Sequence, residues 1–503
     1  MAALDPLSPL SLFSPFASLS ASLAMRLEPL SSLLAMTKIY VSRDFVELKL
    51  RCFLQRNCKK LEQLAEGLDT LPLLEKLTIQ PSPTLEFIPI DHDMTSLREL
   101  KIKNCDGLSS IGLLDHCTSL QKLQILECRN LTSIPISQGL ASLRELEIRS
   151  CNGLSSIGIL DHCTSLQELG ISGCGNLTSI PISQGLASLR KLGIWYCGLL
   201  TGPPCGIENC PSLQTLRVME CPKLASISFS TDLNPCLKEL YIEDCNGLQS
   251  LPDFRSFTSL LVLEIRKCAG IQSLVCGIHI PVSLEELRIS QCHNLESIPS
   301  LDECTSLRRL QVWDCEKLKS LSTGLRCLAR LAQLGLGPFW EELDSFPDFQ
   351  ALSQQLDRLE LHGWPKLKSL PQQVQHFTSL TELTIRSFNG VEALPEWLGN
   401  LASLKYLTIV ECENIKYLPS LKAMQRLTKL KDLRIFRCPL LKERCTEDSG
   451  EEWPKISHIP YTYLCKLLSD YFSLFERFSR SLLFMRAWLH YYFAHYTEIQ
   501  TSH

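Results

Sequence analysis

One spacing governs this chain. From residue 97 onward a leucine recurs every 23 to 26 residues, and each recurrence opens the pattern L-x-x-L-x-I-x-x-C followed by x-x-L-x-S-I/L-P. The opening leucines are Leu97, Leu120, Leu143, Leu166, Leu189, Leu213, Leu237, Leu260, Leu284, Leu307, Leu331, Leu356, Leu380, Leu404 and Leu430. Leu74 and Phe45 begin two looser units before them, which makes about 17. In "LRELKIKNC", Leu100 and Ile102 are two residues apart, so on a short strand they share the inward face while Lys101 and Lys103 point out. A coil of this kind cannot hide its leucines alone and must stack on its neighbours.

A period in the twenties with this leucine spacing is the leucine-rich-repeat signature. It predicts an α/β repeat: a solenoid with a curved parallel β-sheet on the concave face and an irregular or short helical convex side. The later leucine and proline of each unit, such as Leu131 and Pro135, fall on that convex side, where proline opposes a long regular helix. The length prior of roughly 100 to 200 residues per domain would suggest three domains, but the repeat replaces it with one array over 45–460. Residues 1–44 are a non-repeat segment rich in Ser, Leu, Pro and Ala, expected to be poorly ordered. Residues 461–503 hold 12 of the 37 aromatics, and Leu467, Tyr471, Leu474, Phe478, Leu482, Met485 and Leu489 recur at helical spacing. That pattern predicts an aromatic-rich amphipathic helical tail. Charges interrupt it too often for a membrane span, and contact with a membrane surface is the lesser expectation.

The 24 cysteines are ordered by the same period. Twelve of them, Cys105, Cys128, Cys151, Cys174, Cys197, Cys221, Cys245, Cys268, Cys292, Cys315, Cys412 and Cys438, occupy one offset within the unit. Equivalent positions in stacked coils make a ladder rather than the specific pairs a disulfide requires. We therefore expect buried, reduced thiols and a cytoplasmic location. A near-duplication adds to the repeat: residues 96–141 and 142–187 agree at 36 of 46 positions. Adding coils to a solenoid is structurally easy, because no closed core is disturbed.

Motifs for chemistry are absent. There is no G-x-x-x-x-G-K-S/T loop to cradle phosphates, no G-x-S-x-G elbow, no H-E-x-x-H and no kinase signature. Asp115-His116-Cys117 and its copy Asp161-His162-Cys163 combine metal-ligating types, but no C-x-x-C accompanies either. Cys117, Cys163, Cys210 and Cys304 take a place where other units carry Leu or Phe, and so read as core. No enzyme, cofactor or metal is expected. The formal charge of -4 also argues against a nucleic-acid partner, which would call for a cationic excess.

What remains is a surface. The third, fifth and seventh positions of each unit face the concave side and vary from coil to coil. They include Trp195, Arg217, Tyr241, Arg266, Arg288, Trp313, Arg358, Arg386, Tyr406, Arg434 and Phe436, with Glu145, Glu147, Glu239, Glu243 and Glu264 interspersed. Aromatics and arginines offer large contact area with directed polar groups, so this strip is the candidate protein-binding site.

The cadence C-x-x-L-x-S-L/I-P, as in "CEKLKSL", "WPKLKSLP" and "FNGVEALPEWLGNLASLKYLTIVECENIKYLP", and the closing "CPLLKERCTEDSGEEWPKISHIP" resemble the leucine-rich-repeat region of plant intracellular nucleotide-binding disease-resistance proteins of the coiled-coil class. The resemblance spans roughly residues 45–460, and its closing segment is the most specific part. It implies a defence protein that recognises a pathogen effector or a host protein, or that contacts a nucleotide-binding immune receptor. This chain lacks the nucleotide-binding module of such receptors and reads as a repeat-only form, so ATP binding does not carry over. An adaptor presenting substrates to a ubiquitin ligase is the alternative, although "LDPLSPLSLFSPF" supplies no F-box. A receptor ectodomain would show paired cap cysteines and a regular L-x-G-x-I-P cadence, and neither is present.

Overall fold

Leucine and isoleucine at alternate positions need cover from the coil before and the coil after, and the computed structural model supplies it. It describes residues 52–55 and, with interruptions of which 339–354 is the longest, residues 74–465. Two compact units divide the chain after Leu284. In the first, parallel strands from Cys52–Gln55 and Lys76–Ile79 through Glu99–Lys103 to Val262–Arg266 pair in sequence order. In the second, the strands run from Glu286–Ser290 and Arg309–Trp313 to Asp432–Phe436 and Tyr461–Cys465. Register is set by side-chain identity: Leu100 faces Leu123 and Leu123 faces Leu146, with Ile102, Ile125 and Ile148 alongside. All six are 0% exposed. Slipping one strand by a single residue would turn this whole set outward, so the core fixes the register. The architecture is a leucine-rich-repeat solenoid.

Most strands end in the same turn. The eighth residue of the unit adopts left-handed backbone, as in Asn104 (φ 56°), Glu127 (57°), Ser150 (54°) and Asp244 (51°), and in the second unit Gln291 (55°), Asp314 (53°) and Glu411 (55°). Its N–H donates to the seventh-position carbonyl of the next coil, for example Asn104 to Leu126 at 2.9 Å and Asp244 to Arg266 at 2.9 Å. Left-handed backbone is costly for residues with a Cβ, and this repeated hydrogen bond compensates. The cysteine follows at position nine. Its thiol donates to the seventh-position carbonyl, 3.5 Å for Cys105 to Lys103 and 3.2 Å for Cys268 to Arg266. Some thiols also approach an earlier coil, as Cys151 does with Ile125 O at 3.8 Å. None of the twelve ladder cysteines is more than 1% exposed. Nineteen cysteines whose side chains are described form no disulfide, and of these only Cys236 and Cys327 are exposed.

The opposite side is irregular, with two-residue strands such as Ser133–Ile134 beside Ser156–Ile157 and short helical turns such as Leu114–His116, Glu396–Asn400 and Leu421–Arg426. Carboxylates brace it. Asp115 Oδ1 accepts from the backbone N–H groups of Ser137 (3.1 Å), Gln138 (3.0 Å) and Gly139 (3.3 Å) in the following coil. Asp161 repeats the contact on Ser183 (2.7 Å) and Gln184 (3.2 Å). Glu396 does the same in the second unit, accepting from Ser420 N and Ser420 Oγ at 2.6 Å each. A side chain on Gly139 would collide with the Asp115 backbone, so the close approach requires glycine there.

The tail departs from expectation at its start. Residues 461–465, assigned to a helix by their aromatic content, form a strand paired in parallel with Asp432–Phe436. Alternating Tyr461, Tyr463 and Cys465 suits a strand beside an open sheet edge. The helical pattern itself, and the segment before Cys52, lie outside the described residues. No helix among the described residues is long and apolar enough to cross a membrane.

Candidate functional site: the strand face

The face opposite the buried leucines carries positions three, five and seven, and the structure organises them differently. Position three forms cross-strand ion pairs: Lys122 with Glu145 at 2.7 Å and Lys191 with Glu168 at 2.7 Å in the first unit, Arg309 with Glu286 at 2.8 Å and Arg358 with Glu382 at 3.3 Å in the second. Such exposed pairs are worth about 0–1 kcal/mol each. Their consequence is local neutrality along one margin.

In the first unit, Trp195 ends the strand Lys191–Trp195 and lies down across it. A Cβ on Gly193 would fall inside the indole, and one on Gly170 would sit 3.7 Å from its Cζ3. Gly170 and Gly193 are partners in register, so two adjacent strands leave a bare floor for the ring. Arg217 stacks its guanidinium over Tyr241, 4.6 Å from the ring centroid, and reaches Glu239 at 3.8 Å. Arg266 lies 3.6 Å from Glu243 and 3.8 Å from Glu264. Burial pushes the Glu243 carboxyl above its ordinary range, opposed by Arg266 and Lys267.

The second unit repeats the device with other parts. Trp313 stacks on His362 with centroids 5.2 Å apart and planes 15° from parallel. A Cβ on Gly335 would stand 2.9 Å from its Cζ3. His362 Nε2–H donates to Glu360 Oε1 at 3.2 Å. Burial works against ionisation of Glu360, but the His362 hydrogen bond and charge, with Arg386, hold its carboxyl below the usual range. Arg288 pairs with Glu286 at 2.5 Å, and Arg434 grips Asp432 with two bonds of 2.7 and 2.8 Å while lying 6.0 Å from the Tyr463 ring. Arg386 reaches Glu411 at 3.7 Å, Arg358 is exposed, and Tyr406 is 42% exposed.

Phe436 is a correction. Placed among the binding residues by its position, it is only 4% exposed. It sits in register between Val410, itself 3% exposed, and the added strand Tyr461–Cys465, so apolar neighbours and an extra strand make this end of the stripe core.

The sequence reading passed over three contributors. Gly170, Gly193 and Gly335 decide how the tryptophans lie, and a glycine at the fifth position of a tryptophan's own coil or of an adjacent one is the available signal. His362 and Glu360 went unremarked because a lone histidine carries little information in one sequence. The eighth position also belongs to the face: Glu127 meets Lys103 at 3.7 Å, and Glu411 meets Arg437 at 2.8 Å. By contrast, Cys117, Cys163 and Cys304 are 0% exposed, and burial pushes each thiol up to about 12, which suits core filling rather than nucleophilic chemistry. Asp115 is committed to the next coil's backbone. Among the described residues no group of three His, Cys, Asp or Glu is arranged to hold a metal ion.

Two family models match: "Leucine-rich repeat region" over residues 283–469 and "BspA type Leucine rich repeat region (6 copies)" over residues 80–201. No curated protein matches the sequence. Among solved structures, a leucine-rich-repeat protein of Leptospira interrogans is similar at 19% identity and a TM-score of 0.44, covering 75% of this chain and 93% of that one. An internalin of Listeria monocytogenes is similar at 17% identity and a TM-score of 0.35, covering 78% and 88%. The TLR13–ssRNA13 complex is similar at 18% identity and a TM-score of 0.39, covering 82% and 77%.

Proposed function

We propose that this leucine-rich-repeat protein is a protein-recognition module that binds its partner on the strand face. The observation that carries the reading is the pair of tryptophans, one per unit, each laid against a glycine floor among half-buried arginines and carboxylates. A large aromatic held in place before binding loses little side-chain entropy on contact, which is how interface anchors gain their weight. The finer reading is disease-resistance-type recognition in the cytoplasm, with a pathogen effector, a host protein or a nucleotide-binding immune receptor as partner. Its support is the resemblance of the repeat cadence and of the closing segment "CPLLKERCTEDSGEEWPKISHIP". Buried thiols held in no disulfide accord with a reducing compartment.

The test is capture from challenged leaf tissue by the full chain and by the Trp195→Ala/Trp313→Ala double variant, with folding of both checked by circular dichroism. A specific partner retained by the native chain and lost by the variant is the expected result. Equal capture by both, with the fold intact, would remove the strand face from the function.

A further inference from the structure

We propose that one margin of the first unit is a second interaction surface, a row of four cations that seats an extended acidic segment of a partner protein; this goes beyond the strand-face reading and does not depend on it. The row is position two of the repeat, the residue just before each strand. Arg98, Arg144, Arg190 and Lys238 hold that position in alternate coils, with Gln121, Gln167 and Gln214 in the coils between, so no carboxylate enters the row from Arg98 to Lys238. Backbone hydrogen bonds fix its spacing. Gln121 N–H donates to Arg98 O at 2.8 Å and Arg144 N–H to Gln121 O at 2.8 Å, and the bond recurs coil by coil up to Lys238 N–H on Gln214 O at 2.8 Å. Consecutive members are therefore one strand spacing apart, about 4.8 Å, and the cations follow one another at about 10 Å.

All four cations are exposed, and among the described residues none of them meets a carboxylate. The acids nearest the row are already engaged at position three: Glu99 by Lys76 at 2.9 Å, Glu145 by Lys122, Glu168 by Lys191, and Glu239 by Arg217 at 3.8 Å. The row therefore keeps its charge. In the second unit the same backbone ladder, such as Arg308 N–H on Glu285 O at 2.8 Å, carries acids within it. There Arg308 lies 3.9 Å from Glu285, and Asp357 lies 3.8 Å from Arg358. Spacing and polarity name the occupant. An extended polypeptide advances about 3.1–3.3 Å per residue, so carboxylates three residues apart stand about 10 Å apart, and in a polyproline II chain they also share one side. Each meets one cation, while the half-buried glutamines, donors and acceptors both, bond the peptide groups between. A duplex nucleic-acid strand carries a charge about every 3.4 Å, far denser than the row, and would set phosphates against the position-three glutamates.

The experiment is fluorescence anisotropy of a labelled peptide of four Glu-Pro-Pro repeats with the full chain, over a range of ionic strength. It is repeated with the Arg98→Gln/Arg144→Gln/Arg190→Gln/Lys238→Gln variant and with Lys405→Gln/Lys431→Gln, which neutralises the corresponding position of the second unit. Glutamine is what the alternate coils of the row already carry, so the fourfold variant keeps the fold, as circular dichroism should show. The expected result is binding that weakens as salt rises, falls at least about tenfold in the fourfold variant and is unchanged in the second-unit variant. A matching peptide of Gln-Pro-Pro repeats should not bind. Equal binding by the native chain and the fourfold variant, or no binding of the acidic peptide at low ionic strength, would overturn the row as a docking surface. Single-stranded RNA of equal charge that binds as tightly as the peptide, and is lost with the same four substitutions, would overturn the acidic polypeptide as its occupant. The strand-face reading is tested apart, by the tryptophan variant above, and stands or falls independently of these results.

Discussion

Position nine of the repeat is cysteine throughout the first unit from Cys105 to Cys268, whereas in the second unit Phe339, Trp364 and Phe388 take the column between Cys315 and Cys412. Both choices are fully buried: Cys128, Cys174, Trp364 and Phe388 are each 0% exposed. What differs is the backbone beside them. Gly337, at the seventh position of the coil before Trp364, has φ 85°, and a Cβ there would lie 2.5 Å from the Trp364 ring. Gly363 likewise approaches the backbone of Ser387 and Phe388, with 2.7 Å from its would-be Cβ to Phe388 Cα. The eighth residue of the coil itself does not separate them, being Asn, Glu, Ser, Asp or Gly, among others, before a thiol and Gly or Ser before Trp364 and Phe388; the space is made by a glycine of the preceding coil. The turn therefore conserves volume rather than chemistry. A small sulfur that satisfies a carbonyl and a large ring roofed by glycine are two solutions to one packing problem.

The comparison can be broken most forcefully at Trp364. Trp364→Ala should cost about 3–5 kcal/mol, as deletion of a large buried side chain does, measured by denaturant unfolding of the full chain; a loss near that of a cysteine variant would show the ring to be passive filler. Gly337→Ala should follow, at about 1–3 kcal/mol for a strained left-handed residue, because the methyl would also press on Trp364. Cys174→Ala removes little volume and should cost about 1 kcal/mol. If it matched Trp364→Ala, the ladder would be doing more than filling space.

The carboxylate braces sharpen the comparison because they occur in both units. Burial disfavours ionised Asp115 and Asp161, yet the Ser137 and Ser183 hydroxyls and the next coil's backbone N–H groups hold both carboxyls below the usual range. Glu396 is lowered by Ser420 in the same way. All three are more acidic folded than unfolded, so their contribution is complete above the unfolded values near pH 4 and fades as the pH falls through the folded ones. Asp115→Asn should cost about 1 kcal/mol at pH 7 and progressively less in denaturant titrations carried below pH 4. The smallest effect concerns reactivity: Cys236 and Cys327 should modify in the native state, and the buried thiols only after unfolding. Broad native reactivity would contradict the ladder.

Much of this was legible because each coil restates the same rule. Leu100 and Ile102 announced a strand, the period announced stacking, and the fixed offset of the cysteines announced their burial. The face was legible only as positions. Nothing in the sequence said that Trp195 would lie on Gly170 and Gly193, or that Trp313 would find His362, 49 residues further along. Phe436 was misread for the same reason. Its exposure depended on a strand at Tyr461–Cys465 whose tyrosines looked like part of a helix.

The sequence by itself determined the solenoid, because a period in leucines is a statement about which residues must share a core, and neighbours in a stack are neighbours in the repeat. The tertiary structure alone decided which side chains on the open face engage one another and which stay exposed. Those contacts join variable positions of different coils, and their outcome turns on ångström-scale space at single glycines that no periodicity encodes.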